Sequence, residues 1–395
     1  MKNKEINFTK ENFGKFLINS KLYQYLYNNL TKAYVHVINN TLSFYLKGNI
    51  GTFKQDFVVD YDGDPITFFV DFGKWFNAIQ KFEYADSINI AVTKSAIKIS
   101  TPDSPNTINL GIISYTKDDA DIVALMAKLP NEKKKILGQK LTLTMNDEMI
   151  SDFNLASSLF INQGRVNSIG LGRTGIIYAD RSTILKTKFT FEVDDSLFKN
   201  LDDGEDYIFI HAQLINLMNL IYKENPVINF SEDYEQIYWE YDGMELVYIY
   251  ENRDLAIPTD DQLDAFSPQD PNSYFEVDLG TLKDALTFFN GFYEGSVWKP
   301  ITFNCVANKE VTMRYKHPSA DITKELPCSC NTDGVFVLES DAIKKVTSKV
   351  KDKRTEKSGS MKVKMCYDDE APGILCNIGD YCTVIFAKLE DDSDI

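Results

Sequence analysis

At 395 residues the chain is too long for one ordinary hydrophobic core, which points to two to four domains. Its 44% hydrophobic and 25% charged content is that of a water-soluble globular protein. A formal net charge of −16 disfavours adhesion of the whole surface to nucleic acid or acidic membranes while leaving room for a local basic patch. The stretch Met1–Asn7 lacks the apolar core of a signal peptide, and no apolar run is long enough to span a bilayer, so a cytoplasmic protein with no membrane partner is expected.

The first strand is Glu5–Phe8, followed by a helix over Thr9–Asn28. Phe13, Phe16, Leu17, Leu22 and Leu26 supply its apolar side, and Lys10, Lys15 and Lys21 sit among its polar residues. Strands follow at Tyr34–Ile38, Leu42–Leu46 and Phe53–Val59, with Asn39-Asn40 as a hairpin turn. The next stretch repeats that order most clearly. Ile66–Val70 is extended, and Asp71 is a helix N-cap candidate. Phe72, Trp75, Phe76 and Ile79 then recur at helical spacing. Three period-two strands close the unit at Ser87–Val92, Ser95–Ile99 and Thr107–Ile112.

From Thr116 to Gly138 the pattern breaks. Three aspartates, an apolar segment Ile122–Leu129, Pro130 and the run Lys133-Lys134-Lys135 read as an interdomain connector with room for a helical turn. A third unit then starts at Leu141–Met145, with a helix over Asp147–Asn162 and strands at Val166–Leu171, Gly175–Ala179 and Ile184–Phe191. The fourth has Tyr207–Ile210, a helix starting near Ala212, and strands at Val227–Phe230, Gln236–Tyr241 and Glu245–Tyr250. Leu255–Pro271, rich in Pro and Asp, is a second connector.

In the fifth unit Val277-Asp278-Leu279-Gly280 mirrors Val70-Asp71-Phe72-Gly73, and strands follow at Ile301–Val306, Val311–Tyr315 and Ile322–Cys328. The sixth has Gly334–Leu338, a helix from Asp341, and strands at Met361–Cys366, Gly373–Ile378 and Thr383–Leu389, then an acidic tail. Strand, helix and three strands thus recur six times, with helix starts about 60 to 76 residues apart, the mark of a repeat architecture.

Few motifs speak for chemistry. Gly170-Leu171-Gly172-Arg173-Thr174-Gly175 matches G-x-G-x-x-G, but Ile176–Ala179 behind it is strand-like, so a hairpin loop is expected in place of a dinucleotide site. Six cysteines (Cys305, Cys328, Cys330, Cys366, Cys376 and Cys382) form no C-x-x-C pair, and His36, His211 and His317 are scattered. Reduced thiols on strands, no metal, no cofactor and no catalytic residues are the expectation.

The last helix stands apart. Between Asp341 and Lys357 it carries Lys344, Lys345, Lys349, Lys351, Lys353, Arg354 and Lys357 against Asp341, Asp352 and Glu356, a local reversal of sign. Ile343, Val346 and Val350 keep a packing stripe, which turns the cations outward. They form either a solvated face or a surface for phosphate backbones, salt-sensitive and indifferent to sequence. Lys10, Lys15 and Lys21, and the triplet Lys133-Lys134-Lys135, would extend that surface; Asp147, Glu148 and Asp152 of the third helix do not fit it.

Six such units, paired by two connectors, resemble the DNA sliding clamps, the ring-shaped processivity factors of replicative polymerases, and in particular the three-domain bacterial polymerase III β-subunit type. The resemblance implies an α+β fold of three tandem clamp domains at 1–116, 139–254 and 272–395, with connectors at 117–138 and 255–271 and an acidic tail. It implies helices lining a pore and sheets outside it. Ile177-Tyr178-Ala179-Asp180-Arg181-Ser182-Thr183-Ile184-Leu185 is similar to a middle-domain stretch that reads V-A-T-D-G-H-R-L in such clamps. Thr383-Val384-Ile385-Phe386-Ala387-Lys388-Leu389 is similar to the C-terminal V-V-M-P-M-R-L. The likeness implies a partner-peptide pocket of Asp180, Ser182, Leu185, Val384 and Phe386, and more loosely Leu255 and Pro258. The Gly-His-Arg turn and the Met-Pro-Met ending are absent, and six further residues follow, as suits a divergent, phage-encoded clamp. The implied partners are duplex DNA, a DNA polymerase and clamp loader bearing clamp-binding peptides, and a second copy joined head to tail. A β-rich viral structural protein with a basic helix, and a hydrolase without a recognisable motif, are the other readings.

Overall fold

The computed structural model describes residues 4–26, 32–48, 51–114, 120–159, 168–180, 183–202, 206–211, 214–215, 226–241, 244–249, 265–268, 272–292, 299–317, 320–350 and 361–389. The first repeat comprises β1 (Lys4–Thr9), α1 (Lys10–Leu26), β2 (Lys32–Ile38), β3 (Thr41–Gly48) and β4 (Gly51–Val58). The second comprises β5 (Ile66–Asp71), α2 (Phe72–Gln80), β6 (Ser87–Val92), β7 (Ala96–Thr101) and β8 (Ser104–Gly111). After α3 (Ala120–Gln139) come β9 (Leu141–Thr144), α4 (Asp147–Leu159), β10 (Ser168–Leu171), β11 (Ile176–Ala179) and β12 (Thr183–Thr187). The fourth repeat has β13 (Ile208–His211), β14 (Val227–Phe230), β15 (Gln236–Tyr241) and β16 (Met244–Ile249). Of its expected helix only the buried Leu214 and Ile215 are described. The fifth has β17 (Tyr274–Asp278), α5 (Leu279–Asn290), β18 (Pro300–Cys305), β19 (Glu310–His317) and β20 (Ala320–Ser329). The sixth has β21 (Gly334–Glu339), α6 (Ser340–Lys349), β22 (Lys362–Cys366), β23 (Gly373–Ile378) and β24 (Cys382–Ala387).

Repeats exchange their leading strands. β1 pairs with β6 of the second repeat, and β5 pairs with β2 of the first. The same reciprocity links β9 to β14 and β13 to β10, then β17 to β22 and β21 to β18. All of these pairs are antiparallel. The chain divides into two compact units, 1–146 with 217–253, and 147–216 with 254–395. The first holds the sheets β1-β6-β7-β8 and β5-β2-β3-β4-β16-β15-β14-β9. The second holds β13-β10-β11-β12-β24-β23-β22-β17 and β20-β19-β18-β21. Each eight-stranded sheet is therefore two four-stranded sheets fused through final strands, β4 to β16 and β12 to β24.

Local chemistry sets the element ends. Asp71 keeps an extended backbone and accepts from the Lys74 amide at 2.8 Å, satisfying one orphan donor at the start of α2. Asn39 and Asn40 adopt φ of 47° and 62°, the left-handed pair that a tight β2–β3 hairpin requires. The glycine motif is a hairpin loop between β10 and β11, closed by a Gly172 amide to Gly175 carbonyl bond of 2.8 Å. A Cβ on Gly175 would fall 1.7 Å from the Thr187 carbonyl oxygen, so backbone approach accounts for that glycine.

In the first unit α1 and α2 cover one face of the eight-stranded sheet through aromatic contacts. Phe16 meets Phe44 at 5.3 Å between ring centroids, Phe44 meets Phe72 at 5.8 Å, and Phe68 meets Trp75 at 5.8 Å. Such pairs contribute about 0.5–1.5 kcal/mol each beyond area burial. In the second unit Phe275, Phe303, Phe336 and Tyr367 form a comparable aromatic layer. The helices there pack through Leu282, Leu286, Ile343 and Val346, all fully buried.

Two sequence expectations need correction. The first connector is no irregular segment: residues 120–139 form α3, with Pro130 inside it. Leu129 and Ile136 of α3 pack on Tyr238 and Val247, with Tyr45 alongside. Tyr45 adjoins Phe44 on β3 and so points to the face opposite α1 and α2. The last helix ends at Lys349, because Val350 turns extended (ψ 125°), and so does not run on to Lys357.

Asp71→Ala is expected to lower the unfolding free energy by about 1 kcal/mol in urea titrations; an unchanged midpoint would mean the cap contributes nothing.

Candidate nucleic-acid interface

α6 buries Ile343, Val346 and Thr347 and turns Lys344, Lys345 and Lys349 away from the core; Lys349 is exposed, the other two half-exposed. No carboxylate among the described residues lies within ion-pair distance of these three. Asp341 in the first turn, which the sequence sets against them, is engaged by Lys299 at 2.8 Å. Its position also suits the positive end of the helix dipole, and Lys349 suits the negative end. Lys351, Lys353 and Arg354 lie outside the described residues.

α4, which packs against α6, is the acidic helix that looked out of place. Two of its three carboxylates are engaged by threonines, one of them in the interior. Glu148 accepts from the Thr190 amide at 2.8 Å and from its hydroxyl at 2.6 Å. Asp152 is 2% exposed and accepts from the Thr187 hydroxyl at 2.6 Å. Asp147 alone of the three is exposed.

In the first unit, Phe13 and Phe16 anchor α1, while Lys10 is exposed and Lys15 half-exposed. Lys21 belongs to α1, but its side chain lies outside the description. α2 and its C-cap add two cations that sequence reading missed, the exposed Lys74 and Lys81. Together with Asn77 they fall three, four and seven residues apart, opposite Phe72, Trp75 and Ile79; that spacing was the available signal. The triplet Lys133-Lys134-Lys135 cannot extend this surface, because α3 lies on the other face of the sheet. Lys133 is also committed, 2.5 Å from Glu245 and 3.1 Å from Glu240. Burial opposes its charge, but hydrogen bonds to Glu245, Tyr238 and Glu240 outweigh that and raise its pKa.

Lysine ammonium groups on flexible stems, such as Lys344, Lys345 and Lys349 on α6, meet phosphates as point charges and read no bases.

The second predicted site gathers on one strand pair. β12 and β24 set Thr183 opposite Phe386, Ile184 opposite Ile385 and Leu185 opposite Val384. Leu185, Val384 and Phe386 are buried on the face that carries Thr187 toward α4. The other face presents Ile184 and Ile385 with the half-buried Ala179 and Leu375. Asp180 is half-exposed and organises the β11–β12 turn, accepting from the Thr183 amide at 2.7 Å and the Tyr178 hydroxyl at 2.8 Å. Ser182, Leu255 and Pro258 lie outside the described residues.

This is the three-domain α+β fold of the DNA sliding clamps. Among solved structures it is similar to the β sliding clamp of C. crescentus, at 10% identity over 98% of this chain and 99% of that one, with a TM-score of 0.72. It is equally similar to a putative DNA polymerase III β subunit of Eubacterium rectale (10% identity, 98% and 100% covered, TM-score 0.71). The DNA polymerase III β subunit of Thermotoga maritima matches at 10% identity, 98% and 99% coverage, and a TM-score of 0.69. No family model and no curated protein matches the sequence.

Thr187→Val removes a buried hydrogen bond to a carboxylate and is expected to cost about 1–3 kcal/mol in urea unfolding, with Thr190→Val costing less because its bond is exposed. Equal losses at both sites would contradict the burial argument.

Proposed function

We propose that the chain is a DNA sliding clamp: a non-catalytic ring that encircles duplex DNA and tethers a replicative polymerase. The observation that carries this reading is the sorting of charge within the clamp fold. A chain of net charge −16 keeps Lys10, Lys74, Lys81, Lys344, Lys345 and Lys349 on helix surfaces and caps, while on α4 it buries Asp152 and ties Glu148 to Thr190. In the ring these helices face the duplex, and three pairs of repeats form the three domains. A few cations against an acidic exterior hold the backbone without stopping its sliding, and the attraction weakens as salt rises. The chain would act in the cytoplasm, where such DNA lies; no described helix is long and apolar enough to cross a membrane.

Closure of the ring takes a second copy, joined head to tail. Final strands pair twice within the chain, and among the described residues β8 and β20 are the final strands that end their sheets unpaired. Pairing β8 of one copy with β20 of the next would repeat the same join and remove both edges. Beside β20, Phe288 of α5 and Phe292 in the turn after it are exposed, each 44% accessible, with Lys324 over the Phe288 ring at 4.7 Å. Polymerase and loader peptides would dock at the β12–β24 seam, near Asp180, with Leu185, Val384 and Phe386 supporting the outward Ile184 and Ile385.

Purified clamp loaded on a nicked circular duplex should be retained through gel filtration and released when the circle is linearised. The triple variant Lys344→Glu, Lys345→Glu, Lys349→Glu should load less and lose about 0.9 of salt slope per phosphate contact removed. Equal retention on linear and circular DNA would refute encirclement.

Phe288→Asp with Phe292→Asp is expected to convert a dimer to a folded monomer in sedimentation velocity; an unchanged dimer would place the interface elsewhere.

A further inference from the structure

The fused sheet of the first unit depends on a join with no covalent continuity. β4 and β16 meet through five residue pairs, from Met244 opposite Gln55 to Tyr248 opposite Gly51. Lys54 of β4 stands opposite Glu245 of β16. The side chains of both point to the face away from α1 and α2, and on that face lies α3.

The contacts of α3 lie on β14, β15 and β16, and Tyr45 and Lys54 reach its partners there from across the join. Leu129, Lys133 and Ile136, at helical spacing, form the stripe turned to the sheet. Leu129 and Ile136 close over Tyr238 of β15 and Val247 of β16, and Tyr45 of β3 completes the cluster from across the seam. Lys133 sits 5.0 Å above the Tyr238 ring and bonds Glu240 and Glu245. Glu245 in turn lies 3.8 Å from Lys54, which pairs with Asp56 at 2.6 Å. Charges thus alternate from the helix to β16 and on to β4. Within such a chain each group screens the next, and removing one unbalances its neighbours.

We infer that α3 is a strap that holds the β4–β16 seam closed, with Lys133 the residue that ties it down. The strap's action does not depend on what the protein binds. In a ring that must open to admit DNA, it directs the opening away from this seam, so that the parting falls at another strand junction.

Hydrogen exchange of the full-length protein, read by mass spectrometry on peptides from each strand, tests this. Lys133→Met keeps the stem over Tyr238 and removes the charge. Peptides from β4 and β16 should exchange about fivefold faster, as loss of a partly buried ion pair and a cation–π contact implies. Peptides from β1, β6, β22 and β23 should not change. Glu245→Gln should give the same local acceleration, and the double variant no more than either alone. Leu129→Ala with Ile136→Ala should loosen the seam further; if that variant fails to fold, the two charge variants still decide. Unchanged exchange at β4 and β16 in Lys133→Met would overturn the strap, as would equal acceleration of every strand, which marks a general loss of stability.

Discussion

The structure depends on the exchange of leading strands between paired repeats. A three-stranded meander leaves both outer edges with unmatched backbone groups, and here one edge is completed by the first strand of the partner repeat. That strand runs without a break into a helix: β1 ends at Thr9 and α1 begins at Lys10, β5 ends at Asp71 and α2 begins at Phe72, β17 ends at Asp278 and α5 begins at Leu279. Once the strand has paired, the start and direction of the helix are set. The helix then buries one stripe, Phe72 and Trp75 in α2 or Ile343 and Val346 in α6, and its remaining faces are fixed with it. Placement of the cations is thus a consequence of strand pairing.

Charge is sorted by the same geometry. Three lysines beside sheets or loops are paired: Lys54 with Asp56, Lys133 with Glu240 and Glu245, Lys299 with Asp341. The helix-borne Lys344, Lys345 and Lys349 have no such partner among the described residues. On α4 threonine hydroxyls engage two carboxylates, and one of these, Asp152, is buried. A weak, even attraction along a duplex needs cations that are numerous, solvated and not held in one geometry, and in the proposed clamp these lysines would supply it.

Much of this was legible in the sequence wherever the cause is local. Alternation marked the strands, Asp71 marked the start of α2, and Asn39-Asn40 marked its hairpin, because each acts on neighbours a few residues away. Strand exchange left no trace, since a period of two looks the same whichever strand is the partner. α3 was misread because three aspartates, Pro130 and Gly138 are local breakers. Its partners Glu240 and Glu245 lie 107 and 112 residues from Lys133, and tertiary packing on the sheet decides the helix. Lysine density drew attention to α6 and away from Lys74 and Lys81, whose helical spacing is the better signal. The pocket residues were sought on two strands that prove adjacent, yet composition alone could not say that Leu185, Val384 and Phe386 take the inward face while Ile184 and Ile385 take the outward one.

In the proposed ring, the join of final strands made twice within the chain is completed between chains, with β8 of one copy beside β20 of the next. Averaged electron-microscope images of the purified protein test this most directly. The account predicts a closed annulus with an opening wide enough for a DNA duplex; a solid or extended particle with free ends and no hole would contradict it.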